Sequence, residues 1–139
     1  MSDITLKDYP LYNNRPELIK TRTGKKLEDI TVQAILNGEL TDLDVRLSPE
    51  TLELQAQVAE AAGRWFVAAN FRRAAELCDV PDEKVLTIYE ALRPERCTPA
   101  EMEAIAIDLE ENYNAKMNAA LIREAAQAYA ERGFLKKDE

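Results

Sequence analysis

The residue types best suited to catalysis are scarce in this chain of 139 residues. Histidine is absent, which excludes a histidine general base, a histidine metal ligand and the Ser-His and Cys-His nucleophile systems. Cys78 and Cys97 stand far apart with no CxxC pair, a pattern that predicts two free thiols. No phosphate-binding glycine loop or calcium loop occurs. We therefore expect no catalytic, cofactor-binding or metal-binding residue in this chain.

Two polar clusters remain. Neighbouring acidic residues such as Glu110 and Glu111 do not converge on a helix, so they predict a solvated face rather than a paired-carboxylate site. The stretch TRTGKK at 21–26 has one glycine among basic residues. It predicts a surface turn, with an anion contact as the alternative.

Aromatic residues are few and supply the first candidates for a protein interface. Trp65 and Phe66 are adjacent, and adjacent helical side chains point about 100° apart. The pattern favours the core for Phe66, whereas core and interface remain open for Trp65, because Trp is enriched at interface hot spots. Tyr89 is a further interface candidate.

Arginines next to these aromatics supply the other candidates. Arg72 follows Trp65 by seven residues, which is two helical turns, so the two side chains are predicted to share a face. Arg72 and Arg73 are therefore interface candidates that suit an acidic partner surface. The alternative for Arg64, Arg72 and Arg73 is pairing within the helix, with Glu60 and Glu76 at i and i+4. The interface hypothesis predicts that Arg72→Ala or Trp65→Ala weakens assembly and leaves the helical content unchanged.

The elements that position these residues are predicted to be helices. Alanine and leucine dominate the apolar residues, and aromatics make up only 6% of the chain. No segment has a convincing strand pattern, and no internal repeat is evident at a period of 20 to 50 residues. The fold class is thus all-α, with about four helices.

Caps and breakers give the bounds of these helices. Residues 1–28 form an extended N-terminal arm with at most one turn near Pro16, and this arm is expected to lie along a partner. Residues 29–139 form a single helical domain. Its first helix is short: Asp29 or Thr31 caps it, Ile30, Ala34 and Ile35 share one face, and Gly38 ends it. The second helix is predicted from Ser48 to about Cys78 and the third from Asp82 to Arg93. The fourth is predicted from Thr98 to Gly133, with a kink near 112–114 as an option.

The stretch 70–94 has the apolar spacing of a helix-turn-helix, which raises the possibility of a DNA-binding regulator. Its second helix would offer Asp82, Glu83 and Glu90 to the groove, whereas base and phosphate contacts need basic or amide side chains. The net charge of −8 also repels phosphate backbones. We therefore expect no nucleic-acid partner. With no apolar run near 20 residues and no signal peptide, we expect no membrane partner either.

Several longer stretches resemble one known family. They are DYPL at 8–11, TRTGK at 21–25, LEDITVQAILNGEL at 27–40, DVRLSPETLELQAQVAE at 44–60, NFRRAAEL at 70–77 and IYEALRP at 88–94. Together they resemble the small subunit of adenosylcobalamin-dependent diol and glycerol dehydratases, in order and spacing, from about Asp8 to Arg132.

This resemblance implies a subunit of a hydro-lyase that converts glycerol or propane-1,2-diol to the aldehyde and water. The small subunit would pack on a large catalytic subunit and carry no catalytic residue. Adenosylcobalamin would lie between the large and medium subunits of a dimer of heterotrimers. The cofactor would supply the radical step and the protein would position it.

The expected location is the cytoplasm, with enclosure in a bacterial microcompartment as an option. Some relatives carry an N-terminal extension that directs such enclosure. Only seven residues precede Asp8 here, so we expect any such address to come from another subunit. A stand-alone helical adaptor remains the main alternative function, and the DNA-binding regulator is the weaker one.

Overall fold

The computed structural model describes residues 4–137 of the chain. Its α-helices are α1 (Leu11–Asn14), α2 (Val32–Leu36), α3 (Asp42–Val45), α4 (Pro49–Ala61), α5 (Trp65–Leu77), α6 (Asp82–Ala91), α7 (Pro99–Tyr113) and α8 (Lys116–Arg132). No β-strand occurs between residues 4 and 137, apart from an isolated bridge between Lys20 and Lys26. The all-α prediction is confirmed. None of the helices within these residues is long and apolar enough to cross a membrane.

The described residues form two compact units, one up to Cys78 and one from Asp79 onward. Each unit contains a pair of consecutive long helices, α4 with α5 in the first and α7 with α8 in the second. The units are described separately below.

The helix predicted from Ser48 to Cys78 is in fact two helices. Its start is as predicted, because the Ser48 hydroxyl accepts a hydrogen bond from the Thr51 N–H and Pro49 is the first helical residue. The break comes at Gly63, which has a left-handed φ of 70°. There the Gly63 N–H donates to the Glu60 carbonyl and the Arg64 N–H to the Ala59 carbonyl. These two bonds form a Schellman motif, which ends α4 and lets the chain turn into α5.

Small side chains form the core between α4 and α5. Ala56, Ala59 and Ala68 are buried together, and Phe71 packs against them. Alanines leave room for two helices to lie close together, in keeping with the alanine-rich composition. The prediction that Phe66 belongs to this core is wrong, since its side chain is 91% exposed. The break at Gly63 explains the error, because it interrupts the helical period that linked Phe66 to α4.

The second hairpin consists of α7 and α8. Thr98 and Glu101 form the predicted capping box, with Pro99 as the first helical residue. The option of a kink is realised as a complete break at Asn114, which has a left-handed φ of 52°. The Ala115 N–H then closes the end of α7 by donating to the Leu109 carbonyl. The core of this hairpin contains Met102, Ala106, Leu109, Ala119 and Ile122.

The two hairpins are an internal repeat that the sequence prediction missed. Positions 48–62 correspond to 98–112, and positions 63–78 correspond to 114–129 after one inserted residue, Tyr113. Equivalent positions hold the N-cap (Ser48 and Thr98), the first-turn proline (Pro49 and Pro99), the left-handed residue (Gly63 and Asn114) and buried apolar residues (Leu52 and Met102, Ala56 and Ala106, Ala68 and Ala119). The inserted residue breaks a strict period, which hides the repeat from a search at one fixed spacing.

In the second unit, the side chain of Lys84 on α6 contacts two residues of α7. The Lys84 ammonium lies 2.7 Å from the Asp108 carboxylate and 4.9 Å from the centre of the Tyr113 ring. These contacts raise the pKa of Lys84, with Asp108 as the main cause. The Tyr129 hydroxyl on α8 donates to the Leu92 carbonyl just beyond α6, at 2.6 Å. The second unit is therefore held by polar contacts between helices as well as by its core.

The N-terminal residues of the first unit have more local structure than the single turn predicted near Pro16. Besides α1, single turns of 3-10 helix occur at Leu6–Asp8, Pro16–Leu18 and Leu27–Asp29. Leu11 is buried, and Arg15 lies 3.1 Å from the Asp8 carboxylate and 2.7 Å from that of Glu17. That residues 1–28 act as an arm along a partner remains a prediction.

Replacing Gly63 with alanine should destabilise the first unit. No atom within 4 Å obstructs an added Cβ, so the cost is the left-handed backbone alone, about 1 kcal/mol. Chemical denaturation followed by circular dichroism measures it. Gly63→Asn is the control and should cost less, because asparagine tolerates this conformation. Equal stability of Gly63→Ala and the parent chain would contradict the Schellman turn.

Candidate partner interface

Trp65 and Phe66 form an exposed aromatic pair at the start of α5. The Trp65 side chain is 65% exposed, so it lies outside the core of this chain. The equivalent positions in the second hairpin are Lys116 and Met117. The repeat therefore provides an internal comparison: the hairpin architecture does not require aromatic residues here. An exposed aromatic pair that folding does not need suits a partner contact, which remains a prediction for Trp65.

Arg72 is engaged within the chain, by two carboxylates of the neighbouring helix. Its guanidinium bonds to Glu53 through two nitrogens at 3.0 Å each, and to Glu60 through two more contacts. Glu53 and Glu60 are two turns apart on α4, so one arginine on α5 joins both. The two carboxylates raise the pKa of Arg72, and Glu60 has the larger effect. Arg72 in turn lowers the pKa of Glu53 and of Glu60. Arg72 therefore pairs within the chain, but between two helices rather than within one as the alternative had it, and its contact with a partner stays a prediction.

The second hairpin contains the same arrangement. Arg123 on α8 occupies the position equivalent to Arg72, and it bonds to Glu103 at 2.9 Å and Glu110 at 2.8 Å on α7. Glu103 and Glu110 are equivalent to Glu53 and Glu60. The pKa of Arg123 is raised, mainly by Glu110. Because the same triad recurs in both hairpins, it has a structural explanation that does not depend on a partner.

Arg73 and Tyr89 are placed differently from Arg72. Arg73 is half-buried and donates to the side-chain oxygen of Asn70 on its own helix. Tyr89 lies on α6 in the second unit and is 67% exposed, with exposed Leu86 three residues before it on the same face. Contact of either residue with a partner stays a prediction.

A groove in the first unit separates the N-terminal residues from α4 and α5. It has a volume of about 810 Å³ and is lined mainly by apolar side chains, among them Tyr9, Leu11, Val58, Val67 and Phe71. Arg64, immediately before Trp65, is one of its polar lining residues.

The largest run of exposed aliphatic side chains was missed by the sequence prediction. It lies in residues 30–47, called here the 30–47 segment, where the exposed side chains are Ile30, Val32, Ile35, Leu36, Leu43, Val45 and Leu47. Of the two predicted caps, Asp29 and Thr31, it is Thr31 that caps α2, and Gly38 ends the helix as predicted. Of Ile30, Ala34 and Ile35, which were predicted to share one face, only Ala34 is buried. Val32, Ile35 and Leu36 instead share an outward face, with the spacing of one helical stripe.

A buried carboxylate fixes this segment. Asp44 on α3 accepts hydrogen bonds from the hydroxyl and the N–H of Thr41, the latter at 2.8 Å, which forms a capping box. Its Oδ1 accepts hydrogen bonds from the Thr21 and Thr23 hydroxyls. Its Oδ2, the oxygen that accepts from Thr41, also lies 2.7 Å from the Lys25 ammonium. These contacts hold the pKa of Asp44 far below its usual range. Lys25 has the largest effect, followed by Thr23 and the Thr41 N–H. The stretch 21–26 therefore contains a surface turn, as predicted, and its side chains bind a carboxylate of the chain itself.

Two patterns in the sequence point to this arrangement in retrospect. Thr41-Asp-Leu-Asp44 is a capping-box spacing, and Val32, Ile35 and Leu36 are spaced as one helical stripe. Neither pattern reveals which side of a five-residue helix faces outward. That depends on the contact between residues 21–25 and Asp44, which are distant in the sequence.

Comparison with known proteins identifies the family. A dehydratase small-subunit family model matches residues 4–136. The propanediol dehydratase small subunit of Citrobacter freundii is 54% identical over 132 residues, which cover 95% of this chain and 77% of that protein. That of Salmonella typhimurium is 53% identical over 134 residues, covering 96% of this chain and 78% of that protein. The chain belongs to the dehydratase small-subunit family.

As a dehydratase small subunit, the chain is one component of a multi-subunit lyase, as the resemblance implied. Histidine is absent, and residues 4–137 bring no three Cys, Asp or Glu side chains together in a group that could hold a metal ion. Cys78 and Cys97 are not joined in a disulfide, as predicted, and burial raises the pKa of Cys97. That this chain contains no catalytic or cofactor-binding residue remains a prediction.

The repeated arginine triads predict two matched stability losses. Arg72→Ala and Arg123→Ala should each lower the free energy of unfolding, and by similar amounts, because each removes charged hydrogen bonds between two helices. Arg93→Ala is the control, since Arg93 pairs only locally with Glu90 on an exposed surface. Denaturant titration measures all three. If Arg72→Ala weakens assembly without losing stability while Arg123→Ala loses it, Arg72 serves a partner rather than the hairpin.

Asp44 predicts a specific dependence of stability on pH. Its pKa is lower in the folded than in the unfolded chain, so its stabilising contribution is complete above about pH 4 and is lost as the pH falls further. Asp44→Asn should therefore melt at a lower temperature than the parent at pH 7, and the difference should shrink below pH 4. Asp42→Asn, at an exposed position on the same helix, is the control. A difference that does not change with pH would contradict the role of the Asp44 charge.

Proposed function

We propose that this chain is the small, non-catalytic subunit of an adenosylcobalamin-dependent diol dehydratase. The enzyme converts propane-1,2-diol to propionaldehyde and water. The observation that carries this proposal is the match to the dehydratase small-subunit family across residues 4–136, together with two relatives above 50% identity named as propanediol dehydratase small subunits. Glycerol is the alternative substrate, because selectivity would reside in another subunit.

The chemistry of the side chains supports a structural role. The most strongly bonded charged groups, Arg72, Arg123 and Asp44, are paired with other residues of the chain. Pairing of this kind stabilises helices and leaves those groups unavailable to a substrate. Adenosylcobalamin accordingly belongs to the other subunits, where it supplies the radical chemistry of the dehydration.

The proposed partners are a large catalytic subunit and a medium subunit, arranged as a dimer of heterotrimers. The exposed apolar surfaces of the first unit support a permanent protein partner, because such surfaces are costly on a free protein. We place the enzyme in the bacterial cytoplasm, with enclosure in a microcompartment as an option.

The alternatives are less well supported. A stand-alone adaptor does not account for the family match along nearly the whole chain. A DNA-binding regulator is disfavoured by the acidic residues of α6, which begins with Asp82 and Glu83 in a chain of net charge −8.

Reconstitution tests the proposed function. The large and medium subunits of the host enzyme, with adenosylcobalamin and propane-1,2-diol, should form a stable active complex only when this chain is added. The isolated chain should be inactive and should retain no cobalamin on gel filtration, measured by corrin absorbance. Full activity and stability without the chain, or tight cobalamin binding by the chain alone, would overturn the proposal. Parallel assays with glycerol decide between the two substrates.

A further inference from the structure

We infer that α6 is a detachable helix, and that residues 134–136 control whether it stays docked on the second unit. These residues follow α8 and are called here the C-terminal strap. The inference concerns the conformation of the chain itself and does not depend on the proposed function.

The first argument is that α6 contributes little to a core. None of its residues is buried, and its apolar side chains Val85 and Ile88 are only half-buried. In α7, by contrast, Met102 and Leu109 are among the buried residues. Burial of apolar surface is the main source of stability. The helix α6 is therefore held more weakly than the hairpin of α7 and α8, and it can open without the hairpin unfolding.

The second argument is that polar contacts hold α6 near its two ends. Near its start, the Lys84 ammonium pairs with the Asp108 carboxylate of α7, and both side chains are about one-third exposed. A partly exposed ion pair of this kind contributes little to stability. Just beyond the other end of α6, the Leu92 carbonyl accepts a hydrogen bond from the Tyr129 hydroxyl of α8. The attachment at this second end is extended by the C-terminal strap.

The third argument is the pairing of the strap with the connection between α6 and α7. The Glu95 N–H donates to the Phe134 carbonyl at 2.7 Å, and the Lys136 N–H donates to the Cys97 carbonyl at 2.9 Å. These two backbone bonds join the connection to the residues that follow α8. The Phe134 ring also packs edge-on against the ring of Tyr129, with 6.1 Å between the ring centres. The strap thus contacts the same tyrosine that bonds to Leu92.

The backbone of Glu95 adds a further observation. Its φ is 62°, in the left-handed region, which is unfavourable for a residue with a long side chain. Such a conformation persists only where the surrounding structure constrains it. The hydrogen bond from the Glu95 N–H to Phe134 supplies such a constraint. Without the strap the connection relaxes, and α6 loses its main attachment at that end.

Removal of the strap therefore releases α6 while α7 and α8 stay folded. Val85 and Ile88 are three residues apart and share one side of the helix, so release exposes this apolar side. The chain contains a helix whose apolar side is accessible only when the C-terminal residues are displaced.

The test compares the full chain with a variant that ends at Gly133 and so lacks the strap. Hydrogen–deuterium exchange, measured by mass spectrometry, follows α6 and α7 separately. Amides at positions 86–92 should exchange roughly tenfold faster or more in the variant, because α6 opens on its own. Amides at positions 103–112 should exchange at the parent rate. A variant that ends at Lys137 keeps the strap and is the matched control, which should behave like the full chain.

Two substitutions keep the test decisive if the shortened chain unfolds. Lys136→Pro removes the N–H that bonds to Cys97, and Tyr129→Phe removes the hydroxyl that bonds to Leu92. Each should speed exchange in α6 and leave α7 unchanged. Parent-rate exchange of α6 in all three variants would overturn the inference. Equal acceleration of α6 and α7 in the two substitution variants would also overturn it, because the strap would then stabilise the whole unit rather than α6.

Discussion

The buried carboxylate of Asp44 is the constraint on which the first unit's outer surface depends. A charge inside a protein is tolerated only when hydrogen bonds and an opposite charge replace water, and Asp44 obtains both from Thr41, Thr21, Thr23 and Lys25. Because these residues come from two separate stretches, satisfying one carboxylate also fixes the path of the chain between them. With Asp44 directed inward, the neighbouring aliphatic side chains are left outside. The polar interior and the apolar exterior of this region are therefore two results of one interaction.

The long helices depend on a different device, which the chain uses twice. In each hairpin an arginine on the second helix joins two glutamates that lie two turns apart on the first. In each, a residue with positive φ makes the turn, Gly63 in one and Asn114 in the other. Small buried residues such as Ala56 and Ala106 let the helices approach. What differs between the repeats is the surface, where Trp65 and Phe66 replace Lys116 and Met117. Features that both hairpins share are explained by folding, whereas the aromatic pair of the first hairpin is a candidate for contact with a partner.

The distribution of exposed apolar residues agrees with the role of a subunit. Most of them belong to the first unit, on the 30–47 segment, around the groove and at the aromatic pair. Arg72, Arg123 and Asp44 are paired with other residues of the chain. This distribution supports the proposal that the chain contributes surface and stability to an assembly.

The sequence by itself determined the helical class, the caps at Ser48 and Thr98, the stop at Gly38 and the family, because each depends on residue types at short spacing. Only the tertiary structure decided that Gly63 and Asn114 divide two predicted helices, and that Arg72 binds Glu53 and Glu60 of the neighbouring helix. It also decided that Ile35 and Phe66 face outward. The physical reason is the same in each case. A cap is a contact between residues three apart, whereas the inward or outward direction of a side chain depends on partners brought together from distant positions, such as Asp44 and Lys25.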